Sequence, residues 1–351
     1  MVPFAAGVVL RCLPALLAGR PDVLYSSAPP FSGHLAALLL KRLHPVPWVA
    51  DFRDPWASNP FNGDLPYPSL RNLNANLEAL VVREADLVVL NTPAVEADFR
   101  RRYPNLDRFV TVTNGYDPSL PSRVAALGER PSPGAEGKIE VVHSGEVYGL
   151  RSPRHLLEAL GALKRRAPGE FERLSLCFIG RVHGREELEA RARALGVEGA
   201  LCFRGMVPYE DALCGCARAD MLLVLGVMGK EPEVQVPSKL FEYLAFRKPI
   251  LALAKEGGAI HALLEASGVP FLLADLEDAA AIEKVLARAV RGDFDGGRGW
   301  GAVETFAFDR VARRLSGMLD LLRSGRSPAE SGGLSPGPPR ERAECSCATS
   351  S

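Results

Sequence analysis

Residues 220–254 read DMLLVLGVMGKEPEVQVPSKLFEYLAFRKPILALA, and this stretch decides the fold class. It holds two short apolar runs, at 220–225 and 249–254, and between them a segment at 238–246 with the apolar spacing of a helix. Continuous apolar strands that alternate with helices are typical of a parallel sheet covered by helices on both faces. The stretch therefore predicts an α/β fold.

The same alternation continues in both directions along the chain. The predicted strands lie at 22–27, 47–52, 86–91, 109–113, 139–144, 174–179, 200–203, 220–225, 249–254 and 270–273. The predicted helices lie at 32–43, 69–84, 153–165, 185–195, 208–217, 238–246, 258–267, 277–291 and 308–323. The first of these helices has Ser32 as its predicted N-cap.

Residues 117–138 interrupt this alternation, because they are rich in Pro and Gly and lack an apolar period, and we interpret them as a linker. We therefore predict two doubly wound, Rossmann-like domains that face a cleft, over 1–116 and 139–323. The final helix can cross back to the N-terminal domain. Residues 324–351 are rich in Ser, Pro and Gly and predict a disordered tail.

Composition excludes several classes of protein. The 351 residues carry 42 Lys and Arg and 42 Asp and Glu, so the chain has no global attraction for nucleic acid. Seven cysteines without a CxxC pair argue against a zinc site and suit a reducing cytoplasm. Residues 1–18 are apolar but carry Arg11 near their middle, which fits neither a signal peptide nor a membrane span well. We expect a helix packed on a sheet there and a cytoplasmic protein; peripheral association with the inner face of the membrane is the alternative.

The common sequence motifs of several enzyme classes are missing. No GxGxxG follows a predicted strand, and there is no P-loop, GxSxG or HExxH motif. The six histidines lack metal-ligand spacing. The sequence therefore predicts no dinucleotide dehydrogenase, P-loop enzyme, serine hydrolase or metal site.

The segment VPSKLFEYLA at 236–245 opens a helix after a strand and a loop. With Ser238 placed as N-cap, the free amides of the first helical turn form a site for an anion. Lys239 adds a positive charge beside them, and Glu242 lies one turn further, within reach of a ribose diol. This arrangement suits a nucleoside diphosphate. On the local pattern alone, an ordinary helix start with a surface lysine stays open as the alternative.

The stretch PSKLFEYLAFRKPIL, at 237–251, resembles the signature of the family-4-like glycosyltransferases of the GT-B fold. Further resemblances follow in the order expected of the family, and together they cover roughly residues 20–320. They are WVADFRDPW (48–56), VTNGYD (112–117), VVHSGEVY (141–148), CFIGR (177–181), FRGMVPYEDALCGCARADMLLVL (203–225) and EGGAIHALLEASG (256–268).

The resemblance implies transfer of a sugar from a nucleotide-diphosphate sugar to an acceptor hydroxyl, with retention of configuration, in polysaccharide or glycoconjugate synthesis. It implies that the C-terminal domain binds the donor, that the N-terminal domain binds a saccharide or lipid-linked acceptor, and that no metal or cofactor is bound. The donor-binding residues that it implies are Gly145, Arg151 or Arg154, Gly205, Met206, Val207, Ser238, Lys239, Glu242, Gly257 and Gly258. Among them, Glu242 would bind the donor ribose.

Two departures from the family pattern bear on activity. The family has a second glutamate at the position of Val234, where it faces the donor sugar, and here Glu233 stands one residue out of register. The chain also begins after the place where the family has a strand and a Gly-rich loop. We therefore expect an incomplete N-terminal domain, association through exposed edges and little transferase activity.

On the acceptor side, Asp51, Arg53 and Asp54 follow a strand that faces the cleft in this fold. They are the candidate catalytic residues, and a salt bridge that pins the loop is the alternative. Trp56 is interpreted as packing, with an acceptor platform as the alternative. His143 is interpreted as a hydrogen-bonded structural residue, with a position facing the donor as the alternative. Two other functions stay open: a nucleotide-sugar epimerase, and a non-catalytic nucleotide-sugar-binding or partner subunit.

Overall fold

The computed structural model describes residues 2–19, 21–59, 68–127, 137–229, 233–296 and 300–326. The strands are β1 Leu24–Ala28, β2 Trp48–Phe52, β3 Leu87–Leu90, β4 Phe109–Thr111, β5 Ile139–Ser144, β6 Leu174–Ile179, β7 Leu201–Gly205, β8 Met221–Leu225, β9 Ile250–Leu253, β10 Pro270–Ala274 and β11 Asp295–Gly296. The α-helices are α1 Val2–Ala18, α2 Ser32–Leu43, α3 Pro68–Glu84, α4 Pro93–Arg102, α5 Leu120–Ala126, α6 Arg154–Arg166, α7 Pro168–Glu172, α8 Arg185–Leu195, α9 Tyr209–Arg218, α10 Ser238–Phe246, α11 Ala259–Ser267, α12 Ala279–Arg291 and α13 Phe308–Arg323. All ten predicted strands are present, and β11 is an addition.

The strands form two sheets. The first sheet has the order β1-β2-β3-β4, and its neighbouring strands are all parallel. The second has the order β11-β10-β9-β8-β5-β6-β7 and is parallel except for the β10–β11 pair. In the second sheet the order reverses direction beside β5, between β8 and β6. Ligands of open α/β sheets bind at such switch points, at the carboxyl ends of the strands.

Both sheets are covered on two faces, as continuous apolar strands require. One face of the first sheet packs on α2, α3 and α4, with Trp48, Phe52 and Phe99 in its core. Helix α13 covers the opposite face, where Met318 is buried among Val49 and the apolar side chains of β3 and β4. The last described helix thus returns from the second sheet to the first.

The chain passes between the two sheets at two neighbouring places. Tyr116 donates its N–H to the carbonyl of Phe306 (3.0 Å), and Phe308 donates to the carbonyl of Tyr116 (2.9 Å). A Cβ atom added at Gly115 would lie 2.6 Å from the Phe306 carbonyl oxygen. The Asn114-Gly115 dipeptide therefore serves a close crossing of two backbone segments.

The predicted N-cap of α2 is wrong, and two other regions differ in detail from the prediction. Part of the predicted linker forms α5, which packs on the second sheet's helices through the buried Leu120; residues 128–136 lie outside the described residues, as do 327–351 of the predicted tail. Phe31, not Ser32, occupies the N-cap of α2, and no side chain caps that helix. Helix α1 packs mainly on α2, through Leu16 and Leu40, and the same cluster reaches the first sheet at Leu24 of β1.

Helix α1 leaves large apolar side chains exposed. Phe4, Leu10 and Leu17 have 53%, 74% and 64% of their surface accessible, because only one side of the helix contacts α2. Within the described ranges, no helix combines the length and apolar character that crossing a bilayer requires.

Candidate active site

Two adjoining cavities open at the carboxyl ends of the strands. The second-sheet cavity, of about 450 Å³, is lined by Ser144, Gly145, Glu146, Ile179, Gly180, Arg181, Met206, Val207, Tyr209 and Ala212. The intersheet cavity, of about 430 Å³, is lined by Arg53, Asp54, Asn59, Asn91, Asn114, Gly145, Glu146, Tyr148, Arg151, Gln235, Val236, Pro237, Ser238 and Lys239. Gly145 and Glu146 line both, so the two cavities meet at the end of β5.

Gly145 and Gly180, at the ends of β5 and β6, form the floor of the cavities, called here the glycine floor. Gly145 donates its N–H to the carbonyl of Ile179 (2.7 Å), and Gly180 donates to the carbonyl of Gly205 (2.8 Å). Gly180 has a φ of 125°, and a Cβ atom there would lie 2.4 Å from the Gly145 carbonyl oxygen. Only glycine fits such a backbone approach without strain, so backbone groups face the cavity here.

The amino terminus of α10 points at this floor. Pro237 occupies the N-cap and makes no side-chain cap, so Ser238 is the first helical residue and not the cap. The first amides of a helix have no partner within the helix and attract anions. The Lys239 ammonium reaches the same place, since a Cβ atom added at Gly145 would lie 1.9 Å from Lys239 Nζ. The arrangement is a site for an anionic group.

Hydrogen bonds of Ser144 and His143 tie the end of β5 to α10. The buried Tyr243 accepts the Ser144 N–H on its hydroxyl oxygen (2.8 Å). His143 Nε2 lies 3.4 Å from Lys239 Nζ, and His143 Nδ1 lies 3.0 Å from the Leu223 carbonyl oxygen. The glycine floor and the helix that carries Lys239 are thus held together at the end of β5.

Burial governs the pKa of Lys239. Desolvation, and next the nearby Arg151 guanidinium, lower it to about 8. An anion bound at the floor would favour the charged form of this lysine. Burial also lowers the pKa of Arg151, whose Nη1 donates to the Leu225 carbonyl oxygen (2.8 Å) at the wall of the intersheet cavity. The exposed Arg154 lies instead beside His155 and outside both cavities.

Glu242 lies half-buried beyond the rim of the second-sheet cavity. Its Oε1 accepts the Tyr209 hydroxyl (3.1 Å), and Tyr209 itself lines that cavity. Met206 and Val207 follow β7 on the same wall, and Met206 is 73% exposed. Tyr209 is therefore the link between the loop after β7 and the carboxylate on α10.

Glu233 and Val234 point to different parts of the molecule. Val234 packs against the core of the first sheet, and its carbonyl accepts the Thr92 hydroxyl (2.7 Å). The buried Glu233 turns to the second sheet, where its Oε2 accepts the Lys255 N–H (3.3 Å). A Cβ atom at Gly258 would lie 2.8 Å from the same oxygen. Because the glutamate stands one residue earlier than in the family, Val234 packs on the first sheet and Glu233 contacts the second.

The glycines before α11 occupy the far side of this carboxylate. Gly258 is the N-cap of α11 and packs on Glu233. Gly257 has a φ of 74° and donates its N–H to His261 Nδ1 (3.1 Å). Neither glycine lines the two cavities, and neither does Glu233, on which Gly258 packs.

The three acceptor-side candidates separate. Arg53 and Asp54 line the intersheet cavity, whereas Asp51 does not; it is buried, accepts the Ser27 hydroxyl (2.8 Å) and lies 3.8 Å from Arg53. Asp54 accepts an N–H of Gln235 (2.9 Å), a bond that crosses between the sheets. Burial raises the pKa of Asp54, and the hydrogen bond from Gln235 and the charge of Arg53 act in the opposite direction.

Trp56 is packing, as the sequence indicated. It is 2% exposed and stacks on Phe31 with ring centroids 4.6 Å apart. The fully buried Glu78 accepts the Ala57 N–H (2.8 Å) and the hydroxyl of Tyr103 (2.9 Å). This network fixes the loop that follows β2, and with it the position of Arg53 and Asp54 at the cavity.

Several residues of the site escaped the sequence analysis. They are Asn59, Asn91, Glu146, Tyr148, Ile179, Gly180, Arg181, Tyr209, Ala212 and Gln235. Most of them follow the carboxyl end of a strand, and that position was the available signal. Among the described residues, no group of three or more His, Cys, Asp or Glu side chains could hold a metal ion.

Comparison with protein-family models matches most of the chain. Residues 2–115 match the model described as "Glycosyl transferase 4-like domain". Residues 129–293 match the model described as "Glycosyl transferases group 1". The first model covers the four strands of the first sheet. The second covers β5 to β10 and the residues of the second sheet that line the two cavities.

Known proteins of similar sequence or fold were also found. A D-inositol 3-phosphate glycosyltransferase of Salinispora arenicola is 28% identical over 98% of this chain and 76% of its own. The crystal structure of Anabaena HepE in complex with UDP superposes with a TM-score of 0.67 at 16% identity, over 91% of this chain and 82% of that one. The crystal structure of a putative UDP-N-acetylglucosamine 2-epimerase from Listeria monocytogenes superposes with a TM-score of 0.59 at 12% identity, over 92% of this chain and 80% of that one. The two structures show a fold in common with this chain, and both family models that match the chain are described as glycosyl transferases.

Proposed function

The chain belongs to the family-4-like glycosyltransferases of the GT-B fold, and from that premise we propose that it transfers a sugar from a UDP-sugar to an acceptor hydroxyl with retention of configuration. One observation carries the choice of site: Lys239 Nζ lies against the Gly145 turn, in front of the free amides of α10. This combination of a fixed cation and backbone donors suits a diphosphate.

The proposed order of the donor's parts follows the two cavities and the residues beside them. We assign the base to the second-sheet cavity, where Met206 and Val207 offer apolar contact, the ribose to Glu242 and the diphosphate to Lys239. The donor sugar then lies towards Glu233, whose buried Oε1 has no hydrogen-bond partner among the described residues. A buried carboxylate oxygen without a partner costs free energy, and a sugar hydroxyl would supply the missing donor.

Preorganised charge is the proposed source of catalysis. As the bond to the sugar breaks, negative charge develops on the leaving diphosphate, and donors already aimed at that place stabilise the transition state. Lys239 and the α10 amides supply such donors, and Arg151 stands at the adjoining wall. The proposal needs no bound metal or cofactor, so a chelator should leave turnover unchanged.

The acceptor is assigned to the intersheet cavity. Asp54 and Arg53 project into it from the first sheet and can orient a hydroxyl next to the donor sugar. We propose a saccharide or lipid-linked acceptor, in polysaccharide or glycoconjugate synthesis. The exposed apolar side chains of α1 support a peripheral contact with the membrane that carries a lipid-linked acceptor.

A panel of donors and acceptors tests this function. UDP-, GDP- and ADP-sugars are incubated with soluble saccharides and with lipid-linked saccharides in vesicles, with and without EDTA, and the product's anomeric configuration is read by NMR. We expect release of UDP coupled to formation of an α-linked product from an α-linked donor. Consumption of no donor, a preference for GDP- or ADP-sugars, or an inverted product would contradict the proposal.

A further inference from the structure

Lys239 is a half-buried cation with a specific set of charged and polar neighbours. Arg151 opposes its charge, whereas Glu242 and Glu146 favour it. The Cys216 thiol also faces it but is neutral, because burial raises its pKa to about 12. These groups come from the loop after β5, from α9 and from α10 itself. Within the described residues, the Lys239 ammonium has a ring nitrogen as its hydrogen-bond partner: Nε2 of His143, 3.4 Å away.

The hydrogen bonds of His143 fix which of its nitrogens can accept. Nδ1 lies 3.0 Å from the carbonyl oxygen of Leu223, which can only accept, so Nδ1 carries the hydrogen. Nε2 is then left with a lone pair, and that lone pair faces Lys239. Burial, and next the charge of Lys239, lower the pKa of His143 to about 3, so the ring stays neutral.

We propose that His143 is a positioning residue: its neutral Nε2 accepts a hydrogen bond from Lys239 and holds the ammonium over the Gly145 turn. The role of that ammonium towards a diphosphate rests on the proposed function. His143 does not reach the glycine floor itself and does not line either cavity. It acts on the anion through the lysine, both by fixing its place and by favouring its charged form.

The proposal predicts how the affinity for UDP depends on pH. Lys239 attracts the diphosphate in its protonated form, so affinity should be high below its pKa of about 8 and fall as pH rises through that value. Without the acceptor at position 143, the charged form of the lysine loses a partner beside Arg151, and the fall should begin at lower pH.

The test compares an acceptor-free variant with one that keeps an acceptor. UDP and uridine are titrated by calorimetry from pH 6 to 9.5 into wild type, His143→Leu and His143→Gln, whose side-chain oxygen can take the place of Nε2. At pH 7.5 we expect His143→Leu to weaken UDP about tenfold with uridine unchanged, as for a lost hydrogen bond to a charged group. Its pH midpoint should move down by about one unit, while His143→Gln stays near wild type. Equal losses of UDP and uridine, or an unmoved midpoint, would overturn the role of His143.

A second measurement does not depend on nucleotide or on a folded His143 variant. Nitrogen NMR of the histidine rings in the full chain should show His143 neutral at pH 6, with hydrogen on Nδ1, and Lys239→Met should shift its Nε2 resonance. A hydrogen on Nε2, or an Nε2 resonance indifferent to Lys239→Met, would overturn the proposal. Wild type that binds neither UDP nor GDP would instead contradict the proposed function, and the NMR result would still decide the contact.

Discussion

Replacing Lys239 by Ala should weaken UDP binding by roughly ten- to one-hundred-fold and leave uridine binding nearly unchanged. The ammonium lies against the Gly145 turn, where the diphosphate is assigned, and it has no reason to act on base or ribose. Calorimetry of UDP and uridine on both proteins measures the two effects separately. Turnover should fall further than affinity, because the developing charge of the leaving group is stabilised by the same lysine.

Lys284→Ala is the matched control for this prediction. It also removes one lysine charge from the helices that pack on the second sheet. Lys284, however, is an exposed residue of α12 and lies outside both cavities. We expect it to bind UDP as wild type does. If both variants lose the same UDP affinity, Lys239 acts only through the overall charge of the protein. If Lys239→Ala loses UDP and uridine affinity equally, Lys239 has a structural role.

Replacing Gly180 by Ala should destabilise the protein by about 3 kcal/mol and abolish measurable UDP binding. Two costs combine, since φ is 125° and the new Cβ atom would lie 2.4 Å from the Gly145 carbonyl oxygen, which belongs to backbone. Relief of that overlap moves the Gly145 turn, and with it the floor under Lys239. Thermal or denaturant unfolding measures the first effect, and calorimetry measures the second.

Gly199→Ala provides the comparison for Gly180→Ala. Gly199 lies in the short turn before β7, has an ordinary negative φ, and no heavy atom lies within 4 Å of an added Cβ. We expect its free energy of unfolding and its UDP affinity to remain close to wild type. A Gly180→Ala variant as stable and as competent as Gly199→Ala would show that the glycine floor tolerates side chains.

The sequence predicted the strands well because each is a short, continuous apolar run. It missed α4, whose sequence PAVEADFRRR buries only Val95 and Phe99. Thr92 caps this helix and Pro93 opens it, and those two residues were a usable signal. It also missed α5, since that helix lies in a stretch rich in Pro and Gly and depends on burial of Leu120.

The site residues that the sequence predicted are those whose position in a local strand–loop–helix pattern marks the edge of the sheet. Lys239 and Gly145 each follow a strand, and both line the intersheet cavity. The contact between His143 and Lys239 joins residues 96 positions apart, so no local pattern encodes it. The positions of Asp51 and Arg154 depended on which way one side chain turns from a strand end or a helix start, and that direction is set by packing.

Hydrogen–deuterium exchange of the wild-type chain tests most directly whether a nucleoside diphosphate binds where β5 and α10 meet. The chain is measured alone and with saturating UDP, with GDP as the alternative ligand. We predict slower exchange in peptides that cover 139–151, 203–213 and 233–246, and unchanged exchange in α12. Protection confined to other segments, or no binding of either nucleotide, would contradict the account.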